Sequence, residues 1–514
     1  MTQQTAAYRR RWIAFIFMGI SMLIISLDNT VLNLALPSIS KDLGSSGSQL
    51  QWIVDAYMLA IAASLLTIGY LGDRLGRKPT HLVGLAMFGL FSLGAALSKN
   101  NAQLIAMRAI MGIGAAIIMP STLSILTATF REPKERGTAI ALWAAVFSLG
   151  MGIGPVVGGY LLENYHWSSI FYINIPVIII GLIGSIFFIE NSKTDKPRRV
   201  DLLGLVLSAG GVFALVYAII QAGQDGWTDT QVLWAFGAAI VLLGIFIWWE
   251  FKYKDAMLPL HFFKNMSFTG ANIALVLVHF GMVGAFFFLG QFLQSVQNYT
   301  PLQAGVRLLP MAAVSFIAAA ISAMIARWIG TKFTIALGIL ISAIGFWYFH
   351  VVAAVDIPYS SFVLALCIVA LGIGFTMAPS TNSIMGSVPV NQSGIASAMN
   401  STTRQIGSAL GVAVLGTILN STYISNINTV AWPPQLPANY LDIIRGSVQG
   451  ANAVAAGVQP LSPQLSGMIS NTAHKAFTLG SSRALVVAAI IMAVSAILTL
   501  IIVPNRIKPP DEAN

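Results

Sequence analysis

Charge is the first thing this chain lacks. Only 9% of its 514 residues are Asp, Glu, Lys or Arg, where an ordinary soluble domain carries about a quarter. At the same time 56% are hydrophobic, and the mean hydropathy is +0.78. A globule of this length cannot wet its surface with so few charges, which excludes soluble enzymes, secreted scaffolds and disordered regulators. Cysteine is scarcer still. Cys367 stands alone, so an intramolecular disulfide and a cysteine metal cluster are both excluded. The sequence also has no phosphate-cradling glycine loop followed by Lys, no HExxH, no GxSxG and no metal-spaced His/Cys set. Nothing in it supports ATP hydrolysis or hydrolase chemistry, and neither a bound metal nor an organic cofactor is expected.

What is present is apolar sequence in long runs. A helix needs about 20 apolar residues to cross the hydrocarbon core. Fourteen runs qualify, near 12–36, 51–71, 80–98, 103–127, 137–161, 168–189, 202–222, 232–250, 268–293, 302–327, 333–353, 358–384, 394–419 and 484–503. The expected fold class is therefore an all-α polytopic membrane protein, its first apolar run retained as a helix. An even number of spans puts both termini on one side. Of the 28 basic residues, twenty fall in the ends and loops of that side and five on the other. Cytoplasmic loops carry the Lys/Arg excess, so both termini are expected in the cytoplasm and the chain in the cell membrane. The same asymmetry explains a net charge of +10 without nucleic acid as a partner.

The chain also repeats itself. Gly112-Ile113-Gly114 leads to Pro120-Ser121-Thr122, and Gly372-Ile373-Gly374 leads to Pro379-Ser380-Thr381. The loop Gly72 to Thr80 has a faded echo in Ala326 to Thr334, and Gly150/Gly154 is mirrored by Gly407/Gly411. The offsets run from 254 to 260. This equates spans 2–5 with spans 10–13. Two six-helix bundles are expected, residues 1–190 and 268–514, around an inserted pair in 191–267. Duplicated bundles with a site between them are the plan of a secondary transporter, in which rocking exposes the site to alternate sides. A static pore has no use for the duplication.

Three groups of residues carry chemistry. The loop Gly69-x-Leu71-Gly72-Asp73-Arg74-x-Gly76-Arg77-Lys78 joins spans 2 and 3. Its glycines permit a tight turn, and Asp73 can meet a helix N-terminus or a base and latch the halves. Gly150, Gly154, Pro155, Gly158 and Gly159 place four glycines nearly on one face of span 5, so another helix can approach at backbone distance. Of 18 acidic residues, only Asp28 and Asp55 fall well inside spans, where an ionised carboxylate is costly and is by default functional. Counting about 1.5 Å per residue puts Asp28 roughly 12 Å, and Asp55 and Arg108 each about 6 Å, below the outer ends of their spans. Two carboxylates and one guanidinium sharing a layer make a workable proton-coupling device.

The second bundle offers Asn400 to Gln405 but no membrane carboxylate. Arg404 is expected near the cytoplasmic end, where it either snorkels or takes a role, and His279 is expected to be packed. Phe286, Phe287 and Phe288, with Trp143, are candidates for an aromatic site for flat cations. The stretch 421–483 reads as a long outer loop, with helical spacing in 439–458 and 464–479.

Leu27-Asp28-Asn29-Thr30-Val31-Leu32-Asn33-Leu34-Ala35-Leu36-Pro37 resembles the first-helix signature of the 14-helix drug:proton antiporters (EmrB/QacA type) of the major facilitator superfamily. Trp52 to Leu59, Arg108 with Gly112 to Ala116, Gly150 to Gly159, Ala304 to Pro310 and Arg404 to Gly411 resemble that family as well. The resemblance covers essentially the whole chain. It implies a major-facilitator fold and export of lipophilic, often cationic compounds against inward proton flow. The implied partners are the exported molecule, protons and the bilayer, and the energy source is the proton gradient. It makes Asp28 the first choice for proton and substrate, Asp55 the second, and Arg108 the residue of proton transfer. Asn33, Tyr57, Trp143, Phe286 and Asn400 are the further substrate-binding candidates. Some relatives carry extra carboxylates in helices 10 and 13. Here those regions read Ala313-Val314-Ser315-Phe316 and Met399-Asn400-Ser401-Thr402, which favours monocations or neutral amphiphiles over dications. A dedicated exporter of one metabolite, antibiotic or lipid is the nearest alternative, and a non-transporting sensor a more distant one. The chain is expected to work as a monomer.

Overall fold

The computed structural model describes residues 2–130, 132–191, 201–253, 260–388, 393–433 and 436–505. Among them are fourteen helices of at least fifteen residues. They are α1 (Thr2–Leu43), α2 (Gly47–Leu75), α3 (Arg77–Ala96), α4 (Asn101–Thr129), α5 (Pro133–Asn164), α6 (Asn174–Phe188) and α7 (Leu202–Asp225). The rest are α8 (Thr230–Lys252), α9 (Met266–Gln291), α10 (Pro301–Ile329), α11 (Thr331–Val352), α12 (Tyr359–Gly386), α13 (Ser393–Asn428) and α14 (Pro463–Ile502). Twelve are long and apolar enough over their described residues to cross a bilayer. The other two, α2 and α5, have 29 and 32 residues, and each contains a stretch whose side chains lie outside the described set.

Helices form because the segments are apolar and a backbone in lipid must satisfy its own hydrogen bonds. Local sequence sets their ends. Asn100 caps α4 through Gln103 N–H, Asp229 caps α8 through Gln231 and Val232 N–H, and Thr300 with Gln303 forms a capping box on α10. Pro37 does not end the first helix. The apolar run stops at Leu36, yet α1 continues through Pro37 to Leu43.

The repeat is visible at the turns. Gly76 between α2 and α3 has φ +106°, and Gly330 between α10 and α11 has φ +90°, a region that side chains with a Cβ rarely enter. Four residues on, Thr80 Oγ1 donates to the Gly76 carbonyl at 2.8 Å, and Thr334 Oγ1 donates to the Gly330 carbonyl at 2.8 Å. Higher up, Gly150, Gly154 and Gly158 press α5 onto Ser26, Thr30 and Val31 of α1, while Gly407 and Gly411 press α13 onto the carbonyls of Val276 and Phe280 of α9. The second half repeats the packing of the first.

The bundles meet along two seams related by the same repeat, α2 with α13 and α5 with α10. Gln51 Nε2 donates to the carbonyls of Val412 and Ala413 at 3.3 and 3.2 Å. A Cβ on Gly159 would lie 2.6 Å from the Pro301 carbonyl oxygen, and one on Gly305 would collide with that of Pro155. Between the seams Gly290 of α9 sits on the Asn33 carbonyl, and Gln294 Nε2 donates to the Leu34 carbonyl at 2.8 Å. All of these contacts lie in the half of the molecule away from the termini. That half is closed.

The stretch 421–483 is not a long loop. Helix α13 runs on to Asn428 and α14 starts at Pro463, with two short helices, Ala438–Gly446 and Val448–Val458, between them. Hydropathy marks only the part of a helix that faces oil, and 463–483 contains no helix breaker strong enough to stop it. The short pair covers the closed end: Ser447 lies against Ser40 of α1, and Gln449 Nε2 donates to Gln291 Oε1 of α9 at 3.1 Å.

Candidate functional site

Asp28 and Arg108 meet in the first bundle. Arg108 Nη1 donates to Asp28 Oδ2 at 2.5 Å, with side-chain exposures of 1% and 3%. The guanidinium also donates from Nε to the Ile53 carbonyl of α2 at 3.3 Å and lies 4.1 Å above the Tyr57 ring. One charge is thus shared among α1, α2 and α4. Close helix approach makes this possible, since Gly112, one turn past Arg108, sits on the Tyr57 carbonyl with no room for a Cβ. The Tyr57 hydroxyl is buried and has no hydrogen-bond partner among the described residues. A buried ion pair is stable only while both partners are charged.

Asp55 does not join them. Gln51 faces α13 through its hydrogen bonds, and Trp52 faces α7, its ring tilted against that of Phe213 at 5.4 Å. Asp55 follows these by four and three residues and shares their face of α2, opposite that of Ile53 and Tyr57. It is fully buried, and both carboxylate oxygens lack partners among the described residues. Asp55 therefore sits between α2, α13 and the inserted α7, at Arg108's depth but turned away from it.

Asn33 lies five residues beyond Asp28 at the crossing of α1 and α9. Its Nδ2 donates to the Asn29 carbonyl at 3.3 Å, and its buried Oδ1 has no partner among the described residues. Trp143 is in the half of α5 nearer the termini, donating from Nε1 to Thr122 Oγ1 of α4 at 3.3 Å. Phe286 is half-buried in a crevice with Met282, Met311 and Phe346. Trp143 and Phe286 thus belong to different bundles and different depths, while Phe287 and Phe288 are core. Asn400 is buried on α13, its Oδ1 without a partner among the described residues.

Arg404 differs most from expectation. It is the twelfth residue of α13, about 16 Å along the helix, and is not near its end. It lies within electrostatic reach of His279 on α9. His279 itself is nearly buried, with Nδ1 against the Leu275 carbonyl at 2.9 Å. The misplacement came from reading Arg404 against a span boundary, which hydropathy sets poorly beside a polar run.

Gly69, Asp73 and Arg74, expected in a loop, belong to the last turns of α2, and the side chains of Asp73 and Arg74 lie outside the described residues. Arg77 Nη1 donates to the Ser124 carbonyl of α4 at 3.3 Å, and Lys78 Nζ donates to the Ile186 carbonyl of α6 at 2.6 Å. The basic residues of this turn tie α3 to the helix ends beside it. Sequence reading missed Gln51, Gln291 and Gln294, which carry polar contacts of the closed end. A glutamine inside an apolar run was the available signal.

Residues 18–412 match the family model described as Major Facilitator Superfamily. The chain is 34% identical over 487 residues to the multidrug efflux pump LfrA of Mycolicibacterium smegmatis, with 95% of each chain covered. It is 29% identical over 508 residues to the tetracenomycin C resistance and export protein of Streptomyces glaucescens, covering 98% of this chain and 93% of that one. Among solved structures, a bacterial homologue of the human lysosomal transporter Spinster, inward-facing and unoccupied, aligns with a TM-score of 0.64 at 15% identity. The alignment covers 96% of this chain and 98% of the other, and at that identity the likeness is one of fold.

Proposed function

The chain belongs to the Major Facilitator Superfamily, and from that premise we propose that it is a proton-coupled antiporter exporting lipophilic, often cationic drugs, dyes and antiseptics by alternating access. The observation that carries the reading is the buried Asp28–Arg108 pair laid over Tyr57. The Asp28 carboxylate has three claimants: Arg108, a proton and a cationic substrate. When a proton takes it, Arg108 is freed and a bound cation loses its counter-charge. When the proton leaves, the carboxylate again attracts the cation. Substrate and proton then exclude each other at one group, which is the condition for exchange. Asn33, Tyr57, Phe286, Asn400 and Trp143 supply orphan polar atoms and aromatic surface to the substrate, and Asp55 is the second protonation site.

The two bundles, residues 1–190 and 268–514, are the bodies that rock, with 191–267 as an insertion against one seam. The loop Gly69, Asp73, Arg74, Gly76, Arg77 and Lys78 latches the terminal face, and the glycines from Gly150 to Gly159 with Pro155 guide α5 over α1 and α10. By the Lys/Arg count the terminal face is cytoplasmic and the membrane is the cell membrane. Each chain holds both bundles, so a monomer suffices. Proton flow supplies the energy, and no cofactor or metal takes part.

Reconstituted vesicles test this. Ethidium added to wild-type vesicles is expected to move protons in the opposite direction, a protonophore to abolish dye accumulation, and several unrelated compounds to compete. Dye transport indifferent to the proton gradient contradicts antiport. The relative named for tetracenomycin C export keeps a dedicated exporter as second reading, and absence of competition between unrelated compounds would favour it.

A further inference from the structure

The second bundle holds a cation with no counter-charge among the described residues. Arg404 has no ion pair and no hydrogen bond from its guanidinium among the described residues, and its side chain is partly exposed. An unpaired guanidinium inside a membrane bundle is costly, and such groups face a cavity and await a partner. Helix geometry says which way it points. Thr403, Gly407 and Gly411 face α9, while Val412, Ala413 and Gly416 face α2. Of the two arcs between those faces, one carries Thr417, which donates to the Ile219 carbonyl of α7. Arg404 lies on the other arc, beside the α9 face that carries His279 and, seven residues on, Phe286.

One turn before it on the same side of α13, the Asn400 side-chain oxygen is buried without a partner. Asn400 has an amide N–H to offer beside the guanidinium. Asp28 lies five residues below the contact of Asn33 with Gly290, and His279 eleven below it. Thr403 meets Asn272 and Gly407 meets Val276, so Arg404 stands level with about residue 273 of α9, below His279, and about 18 Å nearer the terminal face than Asp28. The two bundles carry opposite poles at staggered depths: a carboxylate that proton exchange frees, and a permanent cation.

We propose that Arg404 and Asn400 form a carboxylate-binding subsite in the substrate path, so that preferred substrates are zwitterionic amphiphiles, a lipophilic cation at one end and an acid at the other. This rests on the export reading above and narrows its substrate class. The guanidinium and the amide of Asn400 bind the acid. The same guanidinium repels dications, in keeping with the missing carboxylates of helices 10 and 13.

The test uses a rhodamine ethyl ester and the same dye as its free acid, titrated by fluorescence polarisation against purified full-length protein without a gradient. Wild type is expected to bind the acid more tightly than the ester. In Arg404→Gln the acid-to-ester affinity ratio falls about tenfold, the size of a lost charged hydrogen bond, while Arg404→Lys keeps most of it. Asn400→Asp supplies an internal carboxylate four residues from Arg404 and is expected to lower the ratio as well, a second variant that leaves the guanidinium in place. An unchanged ratio in Arg404→Gln, or an ester bound as tightly as the acid in wild type, overturns the subsite. If the ratio responds as described while neither dye moves against a proton gradient in vesicles, the subsite stands and the antiport reading falls.

Discussion

At single residues, which carboxylate faces which base decides the chemistry. Arg108 is held by Asp28, Ile53 and Tyr57, so removing either partner of the ion pair leaves a buried charge. Arg108→Ala is expected to destabilise the protein by about 3–5 kcal/mol, and Asp28→Asn with Arg108→Gln together by less than the sum of the two single changes. Thermal unfolding in one detergent checks this, and strict additivity would mean the pair is not coupled. Asp55 faces α7 and α13 instead, and Asp55→Asn is expected to reduce the protons moved per dye in vesicles without ending exchange. Loss of all exchange at Asp55 with retention at Asp28 would reverse the hierarchy. The proposed competition of a proton and a cation for Asp28 is expected to make affinity for a lipophilic cation rise with pH, by at most about tenfold per pH unit. A flat profile in wild type contradicts that competition. Depth counting along the helices put Asp28, Asp55 and Arg108 in one layer. It could not tell that Asp55 points away, since facing direction depends on neighbours that a single helix does not reveal.

Among elements, glycine decides how close two helices come. Gly159 meets the backbone of Pro301 and Leu302 at 2.6 and 2.7 Å from where a Cβ would stand, whereas Gly237 on α8 has nothing within 4 Å. Backbone cannot move aside as a flexible side chain can. Gly159→Ala is expected to cost about 1–3 kcal/mol through overpacking, and Gly237→Ala to be neutral or slightly stabilising. Equal melting temperatures for the two variants would contradict the assigned seam between α5 and α10. The glycine run of span 5 was legible as one face for Gly150, Gly154 and Gly158, which meet α1, but Gly159, expected on nearly the same face, meets α10 instead. The extent of α13 and α14 was not legible, because hydropathy ends where the oil ends and the backbone does not. The fate of the polar run around Arg404 was hidden for the same reason.

For the whole molecule, the duplication read from Gly112 to Thr122 and Gly372 to Thr381 predicts two bundles related by symmetry, and the seams obey it: α2 on α13, α5 on α10. The contacts that close the far end, from Gln51 to Gln294, have to break for a substrate to leave there. A Cβ on Gly47 would lie 3.0 Å from Asn420 Cγ across the first seam, within the span of a disulfide. Gly47→Cys with Asn420→Cys, in a Cys367→Ser background, is expected to cross-link under mild oxidation and stop dye efflux, with recovery on reduction. Full efflux from the cross-linked protein would mean that this end never opens.

Proton release on substrate binding is the decisive measurement. Purified protein in weakly buffered solution, at a series of pH values, is mixed with a lipophilic monocation and the pH change recorded. Wild type is expected to release protons in proportion to dye bound, and Asp28→Asn to bind some dye with no release. Equal proton release from both proteins would contradict the account.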